Sequence, residues 1–160
     1  MISLRRIERA DAARLCSLWA GDRLPGYSLP GTVADMEALI EKWNQSEGCG
    51  GRFYMLLIEE GGMPAGLISL LERSEGASLG ISVHSDYQGR GIGTEAVLQA
   101  MGFAASFSWK RLLSECRADN MASIALHRKC GFARTGERIN RRGNRVICWE
   151  KTLKNDKKKE

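Results

Sequence analysis

An alternating apolar run that ends in a glycine loop and passes at once into a helical pattern constrains this chain more than any other feature. The stretch is Val83-His-Ser-Asp-Tyr-Gln-Gly-Arg-Gly-Ile-Gly-Thr-Glu-Ala-Val97. Upstream, Ala77, Leu79, Ile81 and Val83 alternate with Ser78, Gly80, Ser82 and His84, the period of a half-buried strand. Downstream, Val97, Met101 and Ala104 recur at helical spacing. Gly89, Gly91 and Gly93 remove three side chains where the backbone turns, so its N–H groups can face a ligand unhindered. N–H groups that open a helix have no intrahelical partner and carry partial positive charge. The spacing therefore predicts a cradle for a nucleotide-like anion.

Two better-known phosphate loops do not fit. A Walker loop needs Gly-Lys followed by Ser or Thr, and here Gly93 is followed by Thr94 with no lysine. Gly91-Ile-Gly93-Thr-Glu-Ala96 passes a relaxed dinucleotide fingerprint. That fingerprint belongs to the first strand of a βαβ unit, whereas this loop lies past the middle of 160 residues.

The spacing Gln88-Gly-Arg-Gly91-Ile-Gly93 resembles the coenzyme A signature of the Gcn5-related N-acetyltransferase (GNAT) superfamily: Gln or Arg, two residues, Gly, one residue, Gly or Ala. Leu112-Leu-Ser-Glu-Cys-Arg-Ala-Asp-Asn-Met-Ala-Ser-Ile-Ala-Leu-His-Arg-Lys-Cys-Gly-Phe132 resembles the superfamily's other shared block, a strand, an Asn-started helix and a terminal Gly-Phe. Asp119 or Asn120 suits the N-cap of that helix, and Gly131 suits its end. Asn120, Ser123 and His127 recur at i, i+3 and i+7, which predicts one shared face.

The resemblance implies a set of site residues. Gln88, Gly89, Arg90, Gly91, Ile92, Gly93 and Thr94 would hold the pyrophosphate of acetyl-CoA, and Asn120 and Ser123 its pantetheine arm. The backbone N–H of Val83 or its neighbours, where the strand ends, would polarise the acetyl carbonyl. Glu115, five residues before Asn120, matches the catalytic glutamate of the ribosomal-protein acetyltransferase branch and is the candidate general base. Its other reading is a solvent-facing strand residue or a partner for Arg117. His127 stands where family members commonly carry a tyrosine that protonates the departing thiolate, and it is the candidate acid. An imidazole with an ordinary pKa of about 6.5 could serve as acid or base, or be hydrogen-bonded beneath the cofactor with no proton role. His84, opposite to Val83 on its strand, reads as a flank residue, Cys116 as core, and Tyr87 as a packing or cofactor-edge residue.

The order of elements fits the same family. Ser3 to Asp11 reads as an opening strand and an N-cap before a short helix through Leu15, Leu18 and Trp19. Thr32-Val-Ala-Asp35 starts a helix reaching about Trp43, with Met36, Leu39 and Ile40 as its apolar stripe. Phe53 to Ile58 and Ala65 to Leu71 are strands joined by a hairpin at Glu59-Glu-Gly-Gly-Met-Pro64. Ala133 to Arg138 and Arg145 to Leu153 form a last pair around Arg142-Gly-Asn144. The expected fold is α/β (α+β): one domain over residues 1–153, with a mixed, mainly antiparallel sheet that splays near the glycine loop and is flanked by helices.

Composition sets the surroundings. With 43% hydrophobic and 27% charged residues the chain can bury one sizeable core. No apolar run approaches a membrane span. Five cysteines without a Cys-x-x-Cys pair support neither a zinc site nor a disulfide framework, and a reducing cytoplasm is the simplest compartment. Of the net charge of +5, residues 151–160 carry +3, five lysines against two acids. Residues 154–160 read as a basic disordered tail, and no aromatic interleaving or recognition helix points to nucleic acid. Arg134, Arg138, Arg141, Arg142 and Arg145 read as exposed hairpin charge that could also meet the 3′-phosphate of coenzyme A or an acidic protein substrate.

The resemblance thus implies an acetyl-CoA-dependent N-acetyltransferase that acts on a primary amine by direct attack in a ternary complex, with no metal. The Arg128-to-Glu137 segment looks most like the branch that acetylates ribosomal-protein N-termini and the related polyamine enzymes. The acceptor, small molecule or protein, stays open. So does a homodimer through edge strands near the C-terminus. The alternatives are a non-catalytic acyl-CoA-binding or regulatory module and a nucleotide-binding oxidoreductase or adaptor.

Overall fold

Gly61 and Gly62, at φ 57° and 83°, close a two-residue turn that only residues free of a Cβ enter readily. They join the two strands that organise the molecule. The computed structural model describes residues 1–19 and 24–153. Residues 20–23 and the expected tail at 154–160 lie outside the described residues. The strands are β1 (Ile2–Arg6), β2 (Phe53–Glu60), β3 (Met63–Arg73), β4 (Gly76–Val83), β5 (Arg111–Arg117), β6 (Ala133–Ile139) and β7 (Arg145–Thr152). The helices are α1 (Ala12–Leu18), α2 (Val33–Asn44), α3 (Ile92–Ala105) and α4 (Met121–Lys129).

All seven strands form one sheet in the order β1-β2-β3-β4-β5-β7-β6. Every neighbouring pair is antiparallel except β4 and β5. This is the mixed, mainly antiparallel sheet expected from the sequence. The β2–β3 strands run further into the turn than expected, because a register shift at Ile58/Glu59 absorbs Pro64 inside β3.

The sheet is buried on both faces where β2 and β3 pass through it. On one face α1 and α2 pack Leu15, Trp19, Met36 and Ile40 against Met55, Leu57 and Leu67. On the other, α3 sets Ile92, Ala96, Val97, Ala100 and Ala104 against Leu56, Ile58, Ile68 and Leu79. Each fully buried Leu or Ile contributes about 1.5–3 kcal/mol. Two helix faces differ in detail from expectation. In α1 the buried stripe is Ala12, Leu15 and Trp19, and Leu18 is 39% exposed. In α3 Met101 is only partly buried, since the small Ala96, Ala100 and Ala104 bring the helix close to the sheet. Thr32 caps α2 as expected, its side chain accepting the Asp35 N–H at 3.2 Å.

The parallel β4–β5 ladder has only three register pairs, Gly76 with Arg111, Ala77 with Leu112 and Ser78 with Leu113. Beyond Ser78 the two strands part, and the sheet splays toward the glycine loop. The ladder starts where backbones approach most closely: a Cβ on Gly76 would lie 2.1 Å from the Arg111 carbonyl oxygen. Gly76→Ala is therefore expected to lower stability by about 1–3 kcal/mol. Urea unfolding checks this, with Gly102→Ala, where a Cβ meets nothing within 4 Å, as the control.

Candidate functional site

The glycine loop is assembled by hydrogen bonds local to it. After Val83 the chain makes a single helical turn at Ser85–Tyr87, begun by the Asp86 N–H donating to His84 Nδ1 at 3.1 Å. The Gln88 side chain then donates from Nε2 to the Val83 carbonyl at 3.0 Å. Gly89 and Gly91 both take the left-handed conformation, at φ 79° and 77°. Gly91 is the N-cap of α3 and supplies no side-chain capping bond. The N–H groups of Ile92, Gly93 and Thr94, which have no partner within the helix, are thus presented together. Gly93 lets α4 lie close: a Cβ there would come 2.8 Å from Leu126 Cδ1.

Between this turn and α4 runs a cleft of about 380 Å³. Val83, Gln88, Gly89, Gly91, Ile92, Gly93, Thr94, Asn120 and Ser123, all expected at the site, line it. Arg90 does not, and its guanidinium sits 5.3 Å from the centre of the Tyr87 ring. Tyr87 itself lines the cleft, as do Ile81, Leu126 and Lys129. Among the described residues no carboxylate is in the lining, so none of them opposes a pyrophosphate at the α3 N-terminus. These residues fit coenzyme A.

Strand geometry also directs Val83. The His84 N–H donates to Ala65 on β3 at 2.8 Å. N–H groups alternate sides along a strand, so that of Val83 points the other way, into the gap left by the departing β5. Asn120 is the N-cap of α4, its Oδ1 accepting the Ser123 N–H at 3.1 Å. Asp119 instead pairs with Arg117 at 2.9 Å. Gly131 at φ 84° ends the helix, with Phe132 N–H bonded to the His127 carbonyl and Gly131 N–H to that of Arg128.

The two expected proton carriers are not in this cleft. His127 is 1% exposed and turns inward, stacked on Trp149 at 5.2 Å. Its Nδ1 donates to the Ser123 carbonyl at 2.7 Å, and Nε2 then accepts the Ser114 hydroxyl at 2.8 Å. Burial lowers its pKa. The shared face predicted for Asn120, Ser123 and His127 therefore splits. Asn120, Ala122, Ser123 and Leu126 face the cleft, while Ile124 and His127 pack toward the sheet. The geometry matches the hydrogen-bonded reading of His127 and corrects its assignment as the acid.

Glu115 opens on the other side of the sheet. Its neighbours Leu112 and Cys116 join the α3 core, so Glu115 projects from the opposite face, into a second cleft of about 800 Å³ with Ser78, Arg111 and Thr135. Its partner there is Arg138, and the expected pairing with Arg117 is not formed. Arg138 donates to both carboxylate oxygens, from Nη2 at 2.7 Å and from Nε. That hydrogen bond holds the Glu115 carboxyl below the usual carboxylate range.

Sequence reasoning missed the role of Trp19 and His84. His84, read from the sequence as a flank residue, is 3% exposed and stacks on Trp19, 65 positions away. No local pattern joins two such residues. Lys129 was also missed, although it falls on the cleft-facing side of α4. Among the described residues no group of three or more His, Cys, Asp or Glu is placed to hold a metal ion, and no helix is long and apolar enough to cross a membrane.

A family model described as an acetyltransferase (GNAT) domain matches residues 2–133. Three solved structures share the fold. A ribosomal L7/L12 alpha-N-protein acetyltransferase in complex with coenzyme A has a TM-score of 0.81 at 19% identity, covering 97% of this chain and 96% of that one. An acetyl transferase from Salmonella typhimurium that modifies the N-terminal serine of L7/L12 scores 0.78 at 19% identity, covering 96% and 95%. A dodecameric spermidine N-acetyltransferase from Vibrio cholerae scores 0.74 at 18% identity, covering 95% and 94%. At these identities the likeness establishes the fold alone. No curated protein sequence matches the chain.

The buried, neutral His127 has a consequence for stability. Because its folded pKa is lowered, the unfolded chain binds the proton first as pH falls, and stability drops below a pH of about 6.5. The expected slope is at most about 1.4 kcal/mol per pH unit. Urea unfolding between pH 7.5 and 5 should show this loss, and His127→Gln should flatten it. An NMR titration showing His127 protonating at its ordinary pKa in the folded protein would contradict the assignment.

Proposed function

This chain belongs to the GNAT acetyltransferase family, and we propose that it transfers the acetyl group of acetyl-CoA to a primary amine by direct attack in a ternary complex. The observation that carries this reading is the uncapped α3 N-terminus, whose three N–H groups meet a cleft that, among the described residues, no carboxylate lines, beside the splayed end of β4. When bound, acetyl-CoA supplies a thioester carbonyl and a thiol leaving group. Gln88 to Thr94 hold its pyrophosphate, with Arg90 positioned by Tyr87 at the rim, while Asn120 and Ser123 align the pantetheine arm. The Val83 N–H polarises the carbonyl as negative charge develops on oxygen.

Glu115 is proposed as the group that receives the proton of the incoming amine, directly or through water. Its ion pair with Arg138 keeps it ionised at neutral pH, which is the state a base requires, and costs it basicity. The new C–N bond forms as the C–S bond breaks, and the departing sulfur takes a proton from solvent. The acceptors in the names of the similar structures, a protein N-terminus and spermidine, set the classes to try first. A reducing cytoplasmic setting and a homodimer through the exposed β6 edge belong to the same proposal.

Purified protein given acetyl-CoA and a panel of peptide N-termini, polyamines and aminoglycosides should release free thiol with at least one class. Glu115→Gln is expected to lower kcat by about 10²–10⁴ while leaving coenzyme A affinity unchanged. Unchanged turnover in that variant removes Glu115 from the role. Coenzyme A binding without thiol release on any amine leaves the non-catalytic acyl-CoA-binding reading in its place.

A further inference from the structure

Two ring N–H groups lie buried at the C-terminal end of β4 without a hydrogen-bond partner among the described residues: Nε2 of His84 and Nε1 of Trp19. The residues are 3% and 2% exposed, and their rings stack with centroids 6.3 Å apart and planes 28° apart. Hydrogen bonding fixes the tautomer of the histidine. The Asp86 N–H donates to Nδ1, so in the neutral ring Nδ1 carries the lone pair and Nε2 the proton. An indole nitrogen only donates. These two N–H groups are therefore donors only, and they match an oxygen acceptor and not the N–H of an ammonium.

Their place in the fold is at the amine side of the proposed reaction. His84 follows Val83 and faces away from α3, toward Trp19 at the end of α1. Ser82, on the same face, is tied to Pro25 by a hydrogen bond from its hydroxyl to the Pro25 carbonyl. Pro25, Ser82, Val83 and Tyr87 line the cleft, with Tyr87 edge-on to the His84 ring, while His84 and Trp19 are buried next to that lining and are not part of it. His84 thus directly follows the residue whose N–H is proposed to hold the acetyl carbonyl, on the opposite face of β4, and Trp19 stacks on it. Shielded from bulk water, they bind an oxygen more strongly than they would at a surface.

We propose that His84 and Trp19 recognise a carbonyl or carboxylate oxygen adjacent to the acceptor amine, so that the acceptor is an α-amino carbonyl compound and not an aliphatic polyamine. A peptide N-terminus and a free amino acid share this chemistry, and the test separates them. The inference rests on the amine-acetyltransferase reading of the same site.

The test follows the indole N–H signals of ¹⁵N-labelled protein saturated with coenzyme A, with Trp19 assigned by its loss in Trp19→Phe. Alanine, alanine amide, an alanyl tripeptide, spermidine and butylamine are titrated in turn. The Trp19 signal is expected to move with the α-amino carbonyl compounds and to stay with spermidine and butylamine. Alanine alone moving it indicates a carboxylate reader, and the amide and tripeptide moving it indicate a peptide N-terminus. In parallel, Trp19→Phe should lower kcat/KM for the best α-amino carbonyl acceptor tenfold or more and leave that for butylamine unchanged. An unmoved Trp19 signal with every probe, or equal losses for both acceptor classes, overturns the inference. If no amine releases thiol but the Trp19 signal still moves with alanine amide, acetyl transfer fails and the oxygen site stands.

Discussion

The β4–β5 ladder is three residue pairs long, and the functional geometry follows from where it stops. A parallel pair that continued would engage the N–H groups of Ile81 and Val83 and leave the sheet closed. Because it ends at Ser78, those groups face a gap, and a buried N–H without a partner costs enough that such a gap must stay open to a ligand or water. Gly76 permits the close approach that begins the ladder, while the departure of β5 makes room for α4 beside the α3 N-terminus. The cradle and the Val83 N–H are thus two results of one interrupted pairing.

The sheet also keeps opposite charge requirements apart. On the α3 and α4 side the cleft lining has N–H groups, apolar side chains and Lys129, and no carboxylate among the described residues. On the other side Glu115 sits among arginines in its own cleft. A carboxylate within a few ångströms of the α3 N-terminus would compete with phosphate for the same N–H groups. Placing it one strand away, with alternation turning it to the far face, avoids that competition at the thickness of a single sheet.

Elements whose cause is local were legible in the sequence. The period-2 run of β4, the glycine loop, the Thr32 and Asn120 caps and the Gly131 helix end all act within a few residues, and nine of the ten expected cofactor positions line one cleft. What failed depends on rotation or on distant partners. His127 lies about 40° round the helix from Ser123, enough to carry it from cleft to core, where Ser114 and Trp149 from other strands hold it. Glu115 was placed on the right strand, but its partner is Arg138, 23 positions away on β6, and not the nearby Arg117. Trp19 and His84 meet only because β4 and α1 share a face, which no spacing announces.

Strand β7 is last among the described strands, yet it lies inside the sheet, between β5 and β6. The strand that carries Glu115 has only three register pairs on its β4 side, so most of its hydrogen-bonding edge waits for residues 145–152. During synthesis the first four strands and their helices can assemble while β5, α4 and β6 have no ladder to join. Trp149 brings with it the ring on which His127 stacks and the N–H that reaches the Cys116 sulfur at 3.2 Å. The half of the molecule that carries Glu115 and His127 therefore depends on long-range pairing made late, the slow kind, and its order is set by one strand inserting between two others.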